Sequence, residues 1–295
     1  MSDRLILVTG GTGQLASALA AASSTVLRVG RPDIDFGRPD SILVAFRAAN
    51  PALVVNAAAY TAVDAAETDA DAAYKANRDG AALLAELCKA AGVPLIHIST
   101  DYVFDGTKGA PYTETDCVSP TGIYGASKLA GEQAVLASGA RAAILRTSWV
   151  HYHAGKNFVR TMLAVGKTRD RLTVVADQRG CPTSAADLAD AVLAVAERMQ
   201  AGWQNDYAGV FHAAGGGDTT WFGLAVAVFE DAAEQGWNVP RVDPIQTADW
   251  PTPAKRPADS RLDGTRLADV FGVRLPHWRA GLRRTTGAIF AGVEV

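Results

Sequence analysis

Tyr124 and Lys128 stand four residues apart in Tyr124-Gly125-Ala126-Ser127-Lys128, the spacing that sets two side chains on one face of a helix. Following Pro120, this segment would form the first turns of that helix. An ammonium close to a phenol stabilises the phenolate and lowers the tyrosine pKa towards the working pH, which makes a usable proton donor or acceptor. The same spacing occurs by chance on many surface helices, so its partners decide its meaning. Ser99-Thr100 supplies one: it ends an apolar run from residue 94 to 99, and the Thr100 hydroxyl would emerge at the carboxyl edge of a sheet, where open α/β folds bind ligands.

A second constellation is Gly10-Gly11-Thr12-Gly13-Gln14-Leu15-Ala16, preceded by the strand-like run Leu5–Thr9 and followed by an Ala/Leu-rich helix pattern. Glycine is required where the backbone bends tightly, and again where a Cβ would hold a pyrophosphate away. The N–H groups and dipole of the following helix then meet the negative charge. Ala16, in the third small position, lets the helix lie close to the sheet. In this strand–turn–helix context the motif predicts dinucleotide binding. An acidic residue to hold the adenosine ribose is expected about 20 positions further on, where Asp33 and Asp35 lie, and Arg28 and Arg31 lie there too. The carboxylates suit NADH and the guanidiniums favour NADPH; both cofactors stay open.

These groups need a scaffold that brings them to one edge. The runs Leu5–Thr9, Val26–Val29, Leu53–Asn56, Pro94–Ser99 and Ala142–Thr147 read as strands buried on both faces. A helix is predicted from about 69 to 91, with Ala73, Ala76, Leu83, Leu84, Leu87 and Cys88 as its apolar stripe and Gly92 as its C-terminal cap. Such alternation predicts a doubly wound parallel sheet of the Rossmann type. The dinucleotide-binding core is expected over residues 1–150. A smaller substrate-binding region is expected over 151–295, with some segments returning to the core. There, Thr183-Ser184 followed by Leu188, Val192, Val195 and Met199 reads as a capped amphipathic helix, and 219–229 as another.

The chain has 295 residues, 48% hydrophobic and 20% charged, which excludes a predominantly disordered state. With 28 Lys plus Arg against 31 Asp plus Glu, its net charge is −3. No global field recruits nucleic acid or an anionic membrane, and neither is expected as a partner. Within 241–284, however, nine Lys/Arg face five Asp, either a solvated basic face or a receiver for a phosphorylated substrate. Residues 5–27 carry no charge, but the glycine turn interrupts them, so neither a membrane span nor a targeting segment is read there. Cys88, Cys117 and Cys181 show no zinc spacing and read as reduced thiols in a cytoplasmic protein. His151-x-His153 lacks an evident third ligand and is expected to be solvent-exposed.

Gly10-x-x-Gly13, Thr100 and Tyr124-x-x-x-Lys128 together resemble the extended short-chain dehydrogenase/reductase family. Longer segments narrow the resemblance: residues 56–64 (from Asn56 to Asp64), 99–104, Arg146-Thr147-Ser148-Trp149-Val150, Asp177-Gln178-x-Gly180-x-Pro182-Thr183 and Arg256-Pro257-x-x-Ser260-x-Leu262 are similar, in order, to the dTDP-4-dehydrorhamnose reductases. The resemblance implies NADPH- or NADH-dependent reduction of the 4-keto group of dTDP-4-dehydro-L-rhamnose to dTDP-L-rhamnose. It implies that Tyr124 gives the proton to the sugar C4 oxygen, that Thr100 holds that oxygen, and that Lys128 tunes Tyr124 and binds the nicotinamide ribose. It places Gly10, Thr12, Gly13, Gln14, Leu15, Asp35, Phe36, Ala58, Ala59, Tyr60 and Thr61 around the cofactor, and Thr100, Asp101, Tyr102, Trp149 and Arg256 against the substrate. Tyr60 stands where members often carry His. Some members dimerise through Mg²⁺ held by surface carboxylates, one of them on the first helix; residues 15–22 offer none, so no structural metal is expected, and the chain is expected to be a monomer or homodimer.

Rival readings remain at this level. An epimerase or dehydratase shares the fold, but a dehydratase wants an Asp-Glu pair after the strand threonine, and here Asp101-Tyr102 follows. A reductase of a sibling 4-keto-6-deoxysugar differs only in pocket shape. A non-catalytic regulatory subunit of the same fold would be expected to lose part of the Thr100, Tyr124 and Lys128 set.

Overall fold

A computed structural model describes residues 5–292. The chain runs β1 (Ile6–Thr9), α1 (Gln14–Ala22), β2 (Val26–Val29), α2 (Pro39–Ala49), β3 (Leu53–Asn56), α3 (Val63–Ala66), α4 (Ala70–Tyr74), α5 (Gly80–Ala91), β4 (Leu95–Thr100), α6 (Ile123–Ser138) and β5 (Ala142–Thr147). It continues through β6 (Val150–His151), α7 (Phe158–Gly166), β7 (Arg171–Val175), β8 (Arg179–Gly180), β9 (Thr183–Ser184), α8 (Ala185–Ala201), β10 (Gly209–His212), β11 (Thr219–Thr220), α9 (Trp221–Glu234), β12 (Arg241–Ile245), α10 (Thr265–Phe271) and α11 (Trp278–Phe290).

Successive strand residues point to opposite faces, and both faces of this sheet are covered. Val8 packs with Leu19 of α1, Leu188 and Val192 of α8 and Phe271 of α10. Its neighbour Leu7 packs with Ile42 and Phe46 of α2, Leu84 and Cys88 of α5 and Val135 of α6. This double coverage is why the strands read as unbroken apolar runs. The strands form one parallel sheet in the order β10-β5-β4-β3-β1-β2. From β1 the chain first builds outward to β2 and then crosses back to β3 on the other side of β1. The strand order therefore reverses between β1 and β3, and a crevice opens over the carboxyl ends of those strands.

The second half returns to the core in three places: β10 extends the sheet beside β5, α8 packs along α1, and α10 adds Leu267 and Phe271 to the same core. The remainder forms a smaller unit in which Val159 and Leu163 of α7, Leu224 and Val228 of α9 and Leu282 of α11 share their own core, beside the parallel pair β7 and β12. Among the described residues, no helix is long and apolar enough to cross a membrane.

Several expectations are corrected. Val26–Val29 is the edge strand rather than one buried on both faces: it pairs only with β1, and Leu27 and Arg28 are exposed. The helix expected over 69–91 is interrupted by a π-helical turn at Lys75–Asp79. The cause is close packing: a Cβ on Gly131 of α6 would fall 2.1 Å from the Asn77 carbonyl oxygen. Helix α8 begins where expected, but the Ser184 side chain does not cap it. His151 is buried, at 1% exposure, because β6 pairs with β9 and the Thr285 hydroxyl of α11 sits 3.0 Å from its Nδ1. Loss of solvation pushes that imidazole down to about 4. His153 is half-buried.

Candidate active site

The glycine turn joins β1 to α1. Gly10 adopts φ +99°, a conformation that side chains disfavour, and a Cβ there would crowd the Ala57–Ala58 peptide at 3.1 Å. The turn closes on itself through Gly13 N–H donating to the Gly10 carbonyl at 2.7 Å. Gly13 caps α1 without any side-chain hydrogen bond, so the first-turn N–H groups are not spent on a capping side chain. Gln14 donates through Nε2 to the Val150 carbonyl at 3.4 Å, while its Oε1 is buried with no partner. Thr147 Oγ1, at the carboxyl end of β5, is likewise buried and unpartnered. A backbone cradle, an open helix N-terminus and two orphaned polar atoms at one sheet edge fit a dinucleotide. Thr12 is exposed on the turn and Leu15 is buried beneath it.

After β3 the loop carrying Ala58, Ala59, Tyr60 and Thr61 is held from two sides. Ala58 N–H donates to the Thr9 hydroxyl at 3.0 Å, and Tyr60 N–H donates to Asn77 Oδ1 at 2.8 Å. Asn77 also donates through Nδ2 to the Tyr60 carbonyl and to the Ser127 hydroxyl. It thereby ties this loop to the helix of Tyr124 and Lys128 from within the π-helical turn. Sequence reasoning missed Asn77, since a lone Asn in an Ala-rich helix carries no signal; π-turns do concentrate at functional sites. Asp35 accepts from Gly37 N–H at 2.8 Å, and that bond, aided by Arg38, holds its carboxyl below the usual range. Phe36 packs into the core against Gly80. Arg28 donates to the Ser17 hydroxyl at 2.8 Å on the exposed edge strand.

Tyr124 and Lys128 share helix α6, and Thr100 ends the strand β4 on which that helix packs. Thr100 closes β4; its hydroxyl accepts from Tyr102 N–H and donates to Asp101 Oδ1 at 3.1 Å. Tyr124 meets Tyr102 edge to face, with ring centroids 5.8 Å apart. Lys128 is buried and donates through Nζ to the Ile98 carbonyl at 2.6 Å. The electrostatics differ from the expected lowering of the tyrosine. Loss of solvation pushes the phenol of Tyr124 up to about 12 and the ammonium of Lys128 down to about 8. The phenol is therefore held protonated, the state needed by a group that gives a proton away.

Trp149 carries φ +48° and stacks on Trp221 of α9 at 3.6 Å, against Gly180. This joins the end of β5 to the smaller unit. Trp221 was not singled out from the sequence; its place after the capping Thr220 gives only a helix start. Arg256 donates to Asp64 Oδ2 at 2.9 Å and contacts Thr252. It is an anchor for the 252–256 segment beside the site. The local excess of positive charge is largely matched from elsewhere in the fold: Arg279 pairs with Asp231, Arg283 with Glu234 and Arg284 with Asp187 and Asp190.

A family model described as the RmlD substrate binding domain matches residues 4–289. A dTDP-4-dehydrorhamnose reductase from Sinorhizobium fredii is 45% identical over 287 residues, covering 96% of this chain and 97% of the relative. The chain belongs to the dTDP-4-dehydrorhamnose reductase family. A crystal structure of a family member from Clostridium acetobutylicum superposes with a TM-score of 0.89 at 36% identity, covering 97% of this chain and 99% of that one. The Bacillus anthracis reductase, solved in complex with NADP, gives 0.88 at 32% identity, with 99% and 100% covered. Family membership accounts for the co-occurrence of the glycine turn, Thr100 and Tyr124-x-x-x-Lys128 in one chain, and for the Rossmann-type sheet that joins them.

Proposed function

We propose that this chain reduces the 4-keto group of dTDP-4-dehydro-L-rhamnose to give dTDP-L-rhamnose, using NADPH as hydride source. The observation that carries the reading is that Thr100, closing β4, and the helix carrying Tyr124 and Lys128 meet at the carboxyl edge of the sheet, with Tyr124 edge to face on Tyr102 and Lys128 bonded to the Ile98 carbonyl. The dTDP-4-dehydrorhamnose reductases to which this chain is similar, and the NADP in the Bacillus anthracis complex, support the sugar nucleotide and the cofactor.

When bound, the reduced nicotinamide supplies a hydride to the sugar carbonyl carbon. Tyr124 gives its phenolic proton to the C4 oxygen, and Thr100 holds that oxygen with its hydroxyl. The Lys128 ammonium stabilises the phenolate left behind. Gly10, Thr12, Gly13, Gln14 and Leu15 hold the pyrophosphate side, Asp35 and Phe36 the adenosine side, and Ala58, Ala59, Tyr60 and Thr61 the nicotinamide side, with Lys128 on its ribose. Asp101, Tyr102, Trp149 and Arg256 line the sugar-nucleotide side. The test is oxidation of NADPH in the presence of dTDP-4-dehydro-L-rhamnose, followed by NMR of the product. A product epimeric at C4 would reassign the chain to a sibling sugar, and no oxidation with any 4-keto-6-deoxysugar nucleotide would refute the reductase reading.

A further inference from the structure

Ser99, Glu132 and Arg146 come from β4, α6 and β5 and meet in the interior next to Lys128. Ser99 and Arg146 are direct cross-strand partners. Glu132 lies four residues beyond Lys128, on the same helical face. Ser99 donates to Glu132 Oε1 at 2.5 Å, Arg146 Nε donates to the same oxygen at 2.9 Å, and Arg146 Nη2 donates to Oε2 at 2.6 Å. The Arg146 and Glu132 side chains are only 4% and 2% exposed. The guanidinium also lies over the Phe104 ring, 5.0 Å from its centroid.

A buried ion pair is a poor device for stability, because desolvating both charges offsets most of their attraction. This one has another consequence. Without Arg146, Glu132 would be the natural partner of Lys128, since opposite charges at this spacing pair. Here both carboxylate oxygens are already engaged, and Lys128 donates instead to Ile98 O, two residues before Thr100. We propose that Arg146 and Ser99 are positioning residues for Lys128: by saturating the Glu132 carboxylate, they keep the ammonium at the Ile98 carbonyl, two residues before Thr100, rather than folded back along its own helix.

The other charged or titratable groups around this helix do not offer Lys128 a competing partner. His97 of β4 is held neutral, driven down by burial and then by Lys128 itself. Tyr124 and Tyr102 are kept protonated by burial, and Asp101 is engaged by Thr100 and Ser260. Asp64 of α3 is paired with Arg256. Tyr74 of α4 is half-buried, and Asp71, Lys75, Arg78, Asp79 and Glu86 are exposed.

The placement of Lys128 stands on geometry, while its effect on turnover rests on the proposed reductase reading, and the experiment separates the two. In protein with ¹³C-labelled lysine, the Lys128 ε-carbon is followed by NMR through a pH titration, and NADPH-dependent turnover is measured on the same variants. Burial pushes the wild-type Lys128 ammonium down to about 8, where its titration is expected. In Arg146→Met the freed carboxylate draws the ammonium, and the titration moves to about 9 or above while kcat falls about tenfold or more. The double variant Glu132→Gln/Arg146→Met removes the competing carboxylate, returns the titration to the wild-type value or below it, and recovers part of kcat. Arg146→Lys keeps the charge but loses the two-pronged grip; it shows the same change at smaller size and serves if Arg146→Met does not fold. An unmoved Lys128 titration in a folded Arg146 variant, or a double variant no better than the single, overturns the proposal. A wild type that titrates as described but reduces no sugar overturns the reductase reading alone.

Discussion

The Ser260 hydroxyl donates to Asp101 Oδ2 at 2.5 Å, joining residues 159 positions apart in the chain. With Thr100 on the other oxygen, Asp101 is enclosed, and burial pushes its carboxyl up to about 7 despite both hydrogen bonds. An unfolded aspartate titrates near 3.9. Below about pH 4 both states are protonated and Asp101 contributes no pH dependence. Between about 4 and 7 the folded state holds the extra proton, so raising the pH through that window costs stability, up to roughly 4 kcal/mol when complete. Asp101→Asn keeps the shape without the charge. Urea denaturation at pH 5 and pH 8 should show the variant losing less stability across that interval than wild type; equal losses would mean that Asp101 is already ionised at pH 5.

Tyr124→Phe removes the phenolic hydroxyl proposed to give the proton while leaving the glycine turn intact. Turnover should fall by a factor on the order of 10²–10⁴, the usual worth of a general acid. NADPH affinity should stay near wild type. Calorimetric titration with stopped-flow hydride transfer checks both, and near-wild-type transfer would remove Tyr124 from the mechanism.

Arg256 anchors the 252–256 segment to Asp64 rather than standing free. Arg256→Ala should raise KM for the sugar nucleotide and leave cofactor affinity unchanged, because the glycine turn is served independently. Asp64→Asn discriminates the physical origin. If the anchor is what matters, this variant reproduces the KM increase; if the guanidinium acts directly on the substrate diphosphate, KM stays near wild type. A direct phosphate contact would also weaken with added salt.

Gly131 lets α6 approach the π-helical turn. In Gly131→Ala the added methyl meets the Asn77 carbonyl at 2.1 Å, a backbone atom that cannot swing aside. The expected cost is about 2–3 kcal/mol, together with weaker cofactor binding, since Asn77 holds the Tyr60 loop. Thermal melting and NADPH titration test this. A variant as stable as wild type would show that the helix spacing yields freely.

Local rules made the sheet and the Tyr124–Lys128 spacing legible. The apolar runs of β1, β3, β4 and β5 follow from burial on both faces, and the glycine turn from a bend that side chains disfavour. The Tyr124–Lys128 pairing follows from the pitch of a helix. Each is decided within a few residues of chain, so the sequence alone determined a dinucleotide-binding α/β core, the end of β4 at Thr100 and the helical spacing of Tyr124 and Lys128.

Only the tertiary structure decided the protonation balance of that edge and the groups that hold it. Proximity of a lysine predicts a lowered tyrosine pKa, but solvation is a property of everything packed around the pair, and its loss raises Tyr124 and lowers Lys128. The same limit hid Asn77, Ser260 and Trp221. Their partners Ser127, Asp101 and Trp149 lie 50 or more residues away along the chain, so no local periodicity announces them. His151 followed the same logic in reverse: a polar residue just after a strand reads as exposed until α11, more than a hundred residues later, closes over it.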